Sequence, residues 1–317
     1  MSGNLVKVYV DGQAGTTGLK IIDRLAGRED IELLKIADED RHNNAARAEI
    51  MKEADFTFLC LPDAAAIEAV ELAAGNTRIL DASTAHRTNP AWAYGFPELS
   101  PEFRSKIVDS RQTAVPGCYA SGFISLLYPM VQHGLIPADF PVFAYATSGY
   151  SGAGKNAIAV YEGEEKPYEF NSPRQYALSQ HHKHLPEMQK FAGLTHAPMF
   201  NPIVCDYYSG MVVSVPIQTR MLDKKITLAQ VNETFRAHYA DAKLVTVNPL
   251  MTDEEQGKFF LASNALSGQN KLEIFTFGND EQILLCARLD NLGKGASGAA
   301  VQCLNIMMGI DETTGLV

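Results

Sequence analysis

Residues 5–18 read LVKVYVDGQAGTTG, a β-branched apolar run that breaks into a glycine-rich turn. An amphipathic stretch, LKIIDRLAGR (19–28), follows with apolar residues at helical spacing. A strand that feeds a helix through Gly12, Gly15 and Gly18 constrains the fold strongly. Glycines permit the tight turn and let backbone amides approach a pyrophosphate. The helix N-terminus that follows adds N–H groups and a favourable dipole for the anion, and Thr16 and Thr17 lie in the turn before it. The spacing is GxxGxxG and not the commoner GxGxxG, so the alternative is an ordinary glycine turn.

The pattern then repeats. Strand candidates at 31–38 (IELLKIAD), 55–60 (DFTFLC) and 78–81 (RILD) alternate with a helix candidate at 64–74. Alternation of this kind predicts parallel pairing in a doubly wound, Rossmann-type α/β sheet. Beyond about residue 117 the texture changes. Runs at 142–147, 211–219, 243–247, 271–277 and 282–289 are strand-like, with sparse helices between them. They predict an α+β domain built on a mixed, largely antiparallel sheet. Residues 295–308 return to a small-residue helical pattern that can pack back on the first domain. The expected division is therefore 1–117 with 292–317 for the nucleotide domain, and 118–291 for a catalytic and dimerisation domain. The 317 residues suffice for two such domains.

Charge and cysteine usage narrow the function. A formal net charge of −10 argues against nucleic acid or an anionic membrane surface as partner. No apolar run approaches a membrane span, and the N-terminus lacks the layout of a secretion signal. The five cysteines are widely spaced, without a CxxC pair, which predicts a reducing, cytoplasmic setting and neither disulfides nor a metal site.

One cysteine stands apart. Cys118 lies in VPGCYASG (115–122), after a Pro-Gly turn and before the apolar helix candidate 123–131. A helix N-terminus stabilises a thiolate, the nucleophilic form. Cys60 and Cys286 fall in strand-like runs, Cys303 in the last helix and Cys205 in an irregular stretch, where packing is their expected role. A thiol nucleophile needs a proton acceptor, and QHHKHLPE (180–187) concentrates three of the eight histidines. His184 and His182 are the candidates, with Glu187 spaced to orient a histidine one helical turn earlier. A polar loop or a metal site is the alternative, though no HExxH pattern supports metal. SGYSGAGK (148–155) lacks the P-loop spacing, yet its amides, hydroxyls and Lys155 suit a carboxylate or phosphate. Asp38, 20 residues past Gly18, stands where an acid favours NAD, whereas Arg41, His42 and Arg47 suit the 2′-phosphate of NADP.

Taken together, GQAGTTG (12–18), DASTAHR (81–87), YGFPEL (94–99), PGCYASG (116–122), SGYSGAGK (148–155), HKHLPE (182–187) and DNLGKGASGAAVQ (290–302) resemble the N-acetyl-gamma-glutamyl-phosphate reductases. The likeness is to their shorter bacterial type, relatives of aspartate-semialdehyde dehydrogenase, and spans nearly the whole chain. It implies a cytoplasmic homodimer or homotetramer that reduces an acyl phosphate with NADPH in arginine biosynthesis. It makes Cys118 the nucleophile that forms a thioester, His184 or His182 the acid–base catalyst, and Glu187 their support. Arg87 becomes a phosphate anchor, with Ser148, Ser151 and Lys155 also toward substrate. Ser83 and Asn291 sit where the family meets its cofactor. The sequence departs from many relatives in reading GQAG in place of GASG, which removes a hydroxyl from the phosphate cradle. The rival readings are a sister reductase for aspartyl or carrier-linked aminoadipyl phosphate, a non-catalytic nucleotide sensor, and a cofactor-free cysteine hydrolase.

Overall fold

The computed structural model describes residues 5–316 and divides into two compact units, 1–116 with 296–317, and 117–295. In the first unit β1 (Val6–Asp11) leads into α1 (Thr16–Leu25) and β2 (Ile31–Leu34). Then come α2 (Asn44–Glu53), β3 (Phe56–Leu59), α3 (Asp63–Ala73), β4 (Arg78–Asp81), β5 (Ala93–Tyr94), α4 (Pro101–Asp109) and β6 (Gln112–Ala114). The strands form one parallel sheet ordered β2-β1-β3-β4-β6-β5. β3 is buried at all four positions, as expected of a strand covered on both faces. β2 ends at Leu34, so the strand expected to run to Asp38 stops four residues early and Asp38 stands in an exposed loop. Its sequence, LKIAD, has too few branched residues to extend the ladder past the glycine turn.

The second unit runs α5 (Cys118–Gln132), β7 (Phe143–Gly149), α6 (Lys155–Glu162), β8 (Arg174–Gln175), α7 (Leu185–Ala192), β9 (Met199–Cys205), β10 (Met211–Gln218), α8 (Leu228–His238), β11 (Val245–Val247), α9 (Asp253–Lys258), β12 (Leu272–Gly278) and β13 (Gln282–Leu289). Its seven strands are ordered β11-β12-β13-β10-β7-β9-β8, with parallel pairing only at β11–β12 and β7–β9. Helices are more numerous than the sequence pattern suggested. α8, for instance, is announced by a Thr227/Gln230 capping box and not by strong amphipathy.

Strand alternation sorts the two faces of this sheet. Val213, Val215, Leu285, Ala287 and Leu289 are buried on the face that carries α5 and α8. The opposite face shows Tyr145, Val212, Phe277 and Leu284, with Phe143 and Met199 exposed and paired in register. α10 (Gly298–Met308) follows a single π turn at Gly293–Ser297 and packs against α1 and α4 of the first unit.

Candidate active site

Cys118 is the first residue of α5, after Gly117 as N-cap. The N-cap amide is not satisfied by a local side chain. Gly117 donates instead to Oε1 of Glu187 at 2.9 Å. Glu187 occupies the third position of α7 and is 1% exposed. The distant HKHLPE motif is thereby fastened to the turn that presents Cys118. A charge-assisted bond to an amide in a buried setting is among the stronger hydrogen bonds available.

His184 caps α7 and is 5% exposed. Its ring lies 5.9 Å from that of Tyr119, the neighbour of Cys118, and 4.8 Å from that of His182. His182 also meets Tyr119, Tyr176 and Phe200 edge-on or tilted at 5.3–5.8 Å. Burial, reinforced by Lys183, pushes His182 down to about 4, so its imidazole is neutral near pH 7. The His184 amide donates to Nδ1 of His182 at 3.2 Å, which leaves the ring proton on Nε2.

The loop bearing both histidines is pinned by Gln180. Its carboxamide donates to the Phe200 carbonyl at 3.1 Å and accepts from the Phe200 amide at 2.9 Å. Gln180 adopts φ of +59°, a conformation that costs a non-glycine residue about 1 kcal/mol and persists only where such anchors hold it. Tyr176 donates its hydroxyl proton to Tyr119 at 3.0 Å. Burial raises both phenols, and the nearby Cys118 sulfur disfavours their ionisation further.

The DNLGKG turn supplies the other wall. Asp290 is buried and accepts from Ser209 Oγ at 3.0 Å and from the amides of Leu292 and Gly293 at 2.7 and 2.8 Å. Its carbonyl accepts from Gly295 at 2.9 Å. A Cβ on Gly295 would stand 2.7 Å from Cβ of Cys118, so only glycine lets this turn press against Cys118. Asn291 spends its carboxamide inside the same unit, donating to Ser151 Oγ at 2.9 Å and accepting from Gly210 at 2.9 Å. Expected at a cofactor, it braces the SGYSGAGK loop against the DNLGKG turn. Ser148 and Ser151 are buried, and Lys155 opens α6 exposed to solvent.

In the first unit, Gly12 adopts φ of +85°, and a Cβ there would lie 2.4 Å from the Cys60 carbonyl oxygen. Gly15 caps α1, whose first turn carries Thr16 and Thr17 and no acid. The amides at this end have no side-chain cap and fit a pyrophosphate. Gln13 and Asp38 line a cavity of about 240 Å³ with Val10, Ile22, Leu33, Leu34, Lys35 and Ile36. Arg47, weighed above as a 2′-phosphate ligand, is instead buried against Asp11, with two contacts of 3.1 and 2.8 Å. Arg41 and His42 stay exposed in the loop after β2.

Ser83 donates amide and hydroxyl to Asp81 at 2.8 and 2.7 Å. Asp81 also meets Nδ1 of His86 at 2.7 Å, and His86 stacks on Trp92. Arg87, expected as a phosphate anchor, is buried and donates to the carbonyls of Val115 and Ala82, each at 3.0 Å. It thus ties down the chain three residues before Cys118. Side-chain destinations of this kind are invisible to motif spacing, because the motif DASTAHR gives order and not direction. Among the described residues, no group of three or more His, Cys, Asp or Glu side chains is arranged to hold a metal ion.

Comparison with known proteins agrees with this arrangement. Residues 7–107 match the semialdehyde dehydrogenase NAD binding domain, and residues 118–291 the semialdehyde dehydrogenase dimerisation domain. An N-acetyl-gamma-glutamyl-phosphate reductase 2 of Nostoc sp. is 43% identical, over 99% of this chain and 100% of its own. The N-acetyl-gamma-glutamyl-phosphate reductase of Burkholderia lata is 46% identical over 95% and 96%, and that of Brucella ovis 45% over 96% and 99%. Among solved structures, aspartate semialdehyde dehydrogenase II of Vibrio cholerae, complexed with ASA, superposes with a TM-score of 0.69 at 14% identity, over 97% and 99% of the two chains. The enzyme of Francisella tularensis gives 0.69 at 14%, over 96% and 100%. The expected pairing of a parallel nucleotide-type sheet with a mixed sheet is the fold of those enzymes. With both sheets in family order and relatives this similar end to end, the chain belongs to the N-acetyl-gamma-glutamyl-phosphate reductase family of the semialdehyde dehydrogenases.

Proposed function

We propose that this chain is the NADPH-dependent reductase of N-acetyl-gamma-glutamyl phosphate, yielding N-acetylglutamate semialdehyde and phosphate in arginine biosynthesis. The observation that carries the reading is the fastening of Glu187 to Gly117, which ties the histidine pair, packed on Tyr119, to the turn that opens α5 with Cys118. In this reading unit 117–295 is the catalytic one, and unit 1–116 with 296–317 holds the nucleotide.

The Cys118 thiol gives its proton to His184, and the α5 dipole favours the thiolate formed. The thiolate adds to the acyl carbon, the C–O bond to phosphate breaks, and a thioester remains. The His184 imidazolium hands its proton to the departing phosphate. His182, neutral with its proton on Nε2, serves as a hydrogen-bond donor to the oxyanion and not as a proton reservoir. Bound NADPH supplies the hydride that reduces the thioester carbonyl. The C–S bond then breaks, the aldehyde leaves, and the thiolate stays on Cys118. Gly12, Gly15, Thr16, Thr17 and Gly18 offer the phosphate cradle, and Ser83 stands ready at the end of β4. Asp38 and Arg41 flank the adenosine end, where Arg41 is the remaining cation for a 2′-phosphate because Arg47 is paired with Asp11. Arg87, Ser148, Ser151 and Lys155 are assigned to the phosphate side of the substrate, Arg87 by shaping the Cys118 turn.

We also assign the chain to the cytoplasm and to a homo-oligomer, dimer or tetramer, formed through the uncovered face of the second sheet. No helix among the described residues is long and apolar enough to cross a membrane. The deciding experiment is phosphate-dependent reduction of NADP by the purified protein. N-acetylglutamate semialdehyde should support it and aspartate semialdehyde should not; the reverse preference would transfer the chain to a sister activity.

A further inference from the structure

The far ends of α5 and α8 meet at two histidines that the chemistry above does not use. His133 is the C-cap of α5, and His238 is the last residue of α8. Nε2 of His133 lies 3.3 Å from Nδ1 of His238, with ring centroids 5.5 Å apart and planes inclined by 84°. Each ring stands at a helix C-terminus, where outward-pointing carbonyls favour a cation. His133 is exposed and His238 half-buried, so solvent reaches the pair.

The backbone holds both residues in place. Pro129, inside α5, has no N–H to give the Ser125 carbonyl one turn earlier. The Tyr239 hydroxyl takes that role, donating to the Ser125 carbonyl at 2.8 Å. Tyr239 directly follows His238, so the bond that repairs α5 also moors the end of α8. His133 donates its amide to the Pro129 carbonyl at 3.0 Å, and Gly134 turns the chain away with φ of +65°. The rings of Tyr128 and Tyr239 meet His238 edge-on at 5.8 and 4.6 Å and limit its rotation. The gap between the two nitrogens is therefore set by the fold and not by two free rotors.

We propose that His133 and His238 form a binding site for a late first-row transition ion, Zn²⁺, Ni²⁺ or Cu²⁺. Across the 3.3 Å gap, an ion about 2.1 Å from each nitrogen would subtend an angle of about 100°, between the octahedral and tetrahedral values. Imidazole suits these ions, and a pair without carboxylates does not suit Ca²⁺ or Mg²⁺. Among the described residues no third His, Cys, Asp or Glu joins the pair, so water fills the remaining positions. The ion replaces the hydrogen bond between the rings and ties α5 to α8 at the end opposite Cys118. The site is independent of the reaction proposed above.

The test strips the full-length chain with a chelator and titrates it with Ni²⁺ against a colorimetric metal indicator. Metal held by the Cys118 thiol is a separate population, so Cys118→Ser is titrated in parallel. A Ni²⁺ ion should bind at the helix ends in both proteins. In the Cys118→Ser background, His133→Asn and His238→Asn should each lower that affinity at least about tenfold, because even a group behind a ligand costs about 10–100-fold when lost. Cu²⁺ should bind more tightly than Ni²⁺. Its electron paramagnetic resonance should show two coupled imidazole nitrogens there, and one after either histidine change. Saturating Ni²⁺ should raise the Tm of Cys118→Ser and leave it unmoved once His133→Asn is added. His133 is exposed, so His133→Asn alone decides if His238→Asn fails to fold. Binding that disappears with Cys118→Ser, or keeps its affinity without His133, overturns the site and leaves the rings as a hydrogen-bonded pair joining two helices.

Discussion

At the scale of single residues, the active-site assignments separate by what each group can titrate. Cys118→Ala should abolish turnover while leaving NADPH affinity unchanged, as read by fluorescence titration; residual turnover above about 1% would refute covalent catalysis. His182 and His184 should differ in their pH signatures. His182 is held neutral down to about 4. His182→Asn should therefore lower kcat but keep the acid limb of the kcat/KM profile, whereas His184→Asn should remove that limb. The same burial predicts a stability change of known sign. An unfolded imidazole titrates near 6.5 and folded His182 near 4, so the unfolded chain takes up the extra proton between those values. Stability contributed by neutral His182 is complete above about pH 6.5 and is lost as pH falls toward 4. After discounting for the ring's partial exposure, the loss is about 1–2 kcal/mol, measurable by urea unfolding at pH 7 and pH 4.5 with His182→Asn as reference. Cys118 and the histidines stand out in the sequence because their chemistry is scarce in this chain. Arg47, Arg87 and Asn291 were legible as motif members only, since each spends its polar groups on Asp11, on main-chain carbonyls, or on Ser151 and Gly210.

At the scale of elements, the loop between β8 and α7 depends on a side chain that imitates a strand. Gln180 supplies the donor and acceptor that a paired residue would give to Phe200. Gln180→Ala removes both while keeping the unfavourable φ of +59°. We expect a fall in kcat of about tenfold or more against a stability loss of about 1–2 kcal/mol, with NADPH binding unaffected. Stopped-flow turnover alongside thermal unfolding separates the two effects, and an unchanged kcat would show that the loop needs no such anchor. The sequence made β1 to β4 and α1 readable through hydrophobic period, but not the two- and three-residue strands β5 and β6. It hid α2, whose apolar stripe is weak, and β9, where Pro202 interrupts an otherwise strand-like run. β9 tolerates that proline because its neighbours β7 and β8 pair it from both sides around the missing donor.

At the scale of the whole molecule, the second sheet leaves part of one face open, at β7 and β9. Phe143 and Met199 sit side by side on it, with Tyr145 and Leu284 on the same side of the sheet. An apolar face of this extent calls for a partner surface, and a second copy is the one assigned here. Phe143→Glu with Met199→Glu should shift the mass measured by light scattering toward the monomer, and an unchanged mass would place the interface elsewhere. None of this was visible as a surface in the sequence. Alternation along each strand marks two faces but does not say which one a helix will cover.

The packing of Gly295 on Cys118 reaches beyond catalysis. The chain leaves its first unit after Pro116 and rejoins it at Ala296. The residues bounding the excursion are thus in van der Waals contact. To the first unit, the whole second unit is an insertion whose ends meet as closely as those of a hairpin. Closing so small a gap asks little of the host beyond the entropy of a loop, which grows only logarithmically with length. A short linker in place of residues 117–295 should then leave a nucleotide-binding unit able to fold alone. The spot where that linker would be spliced is the spot where the full-length chain keeps Cys118.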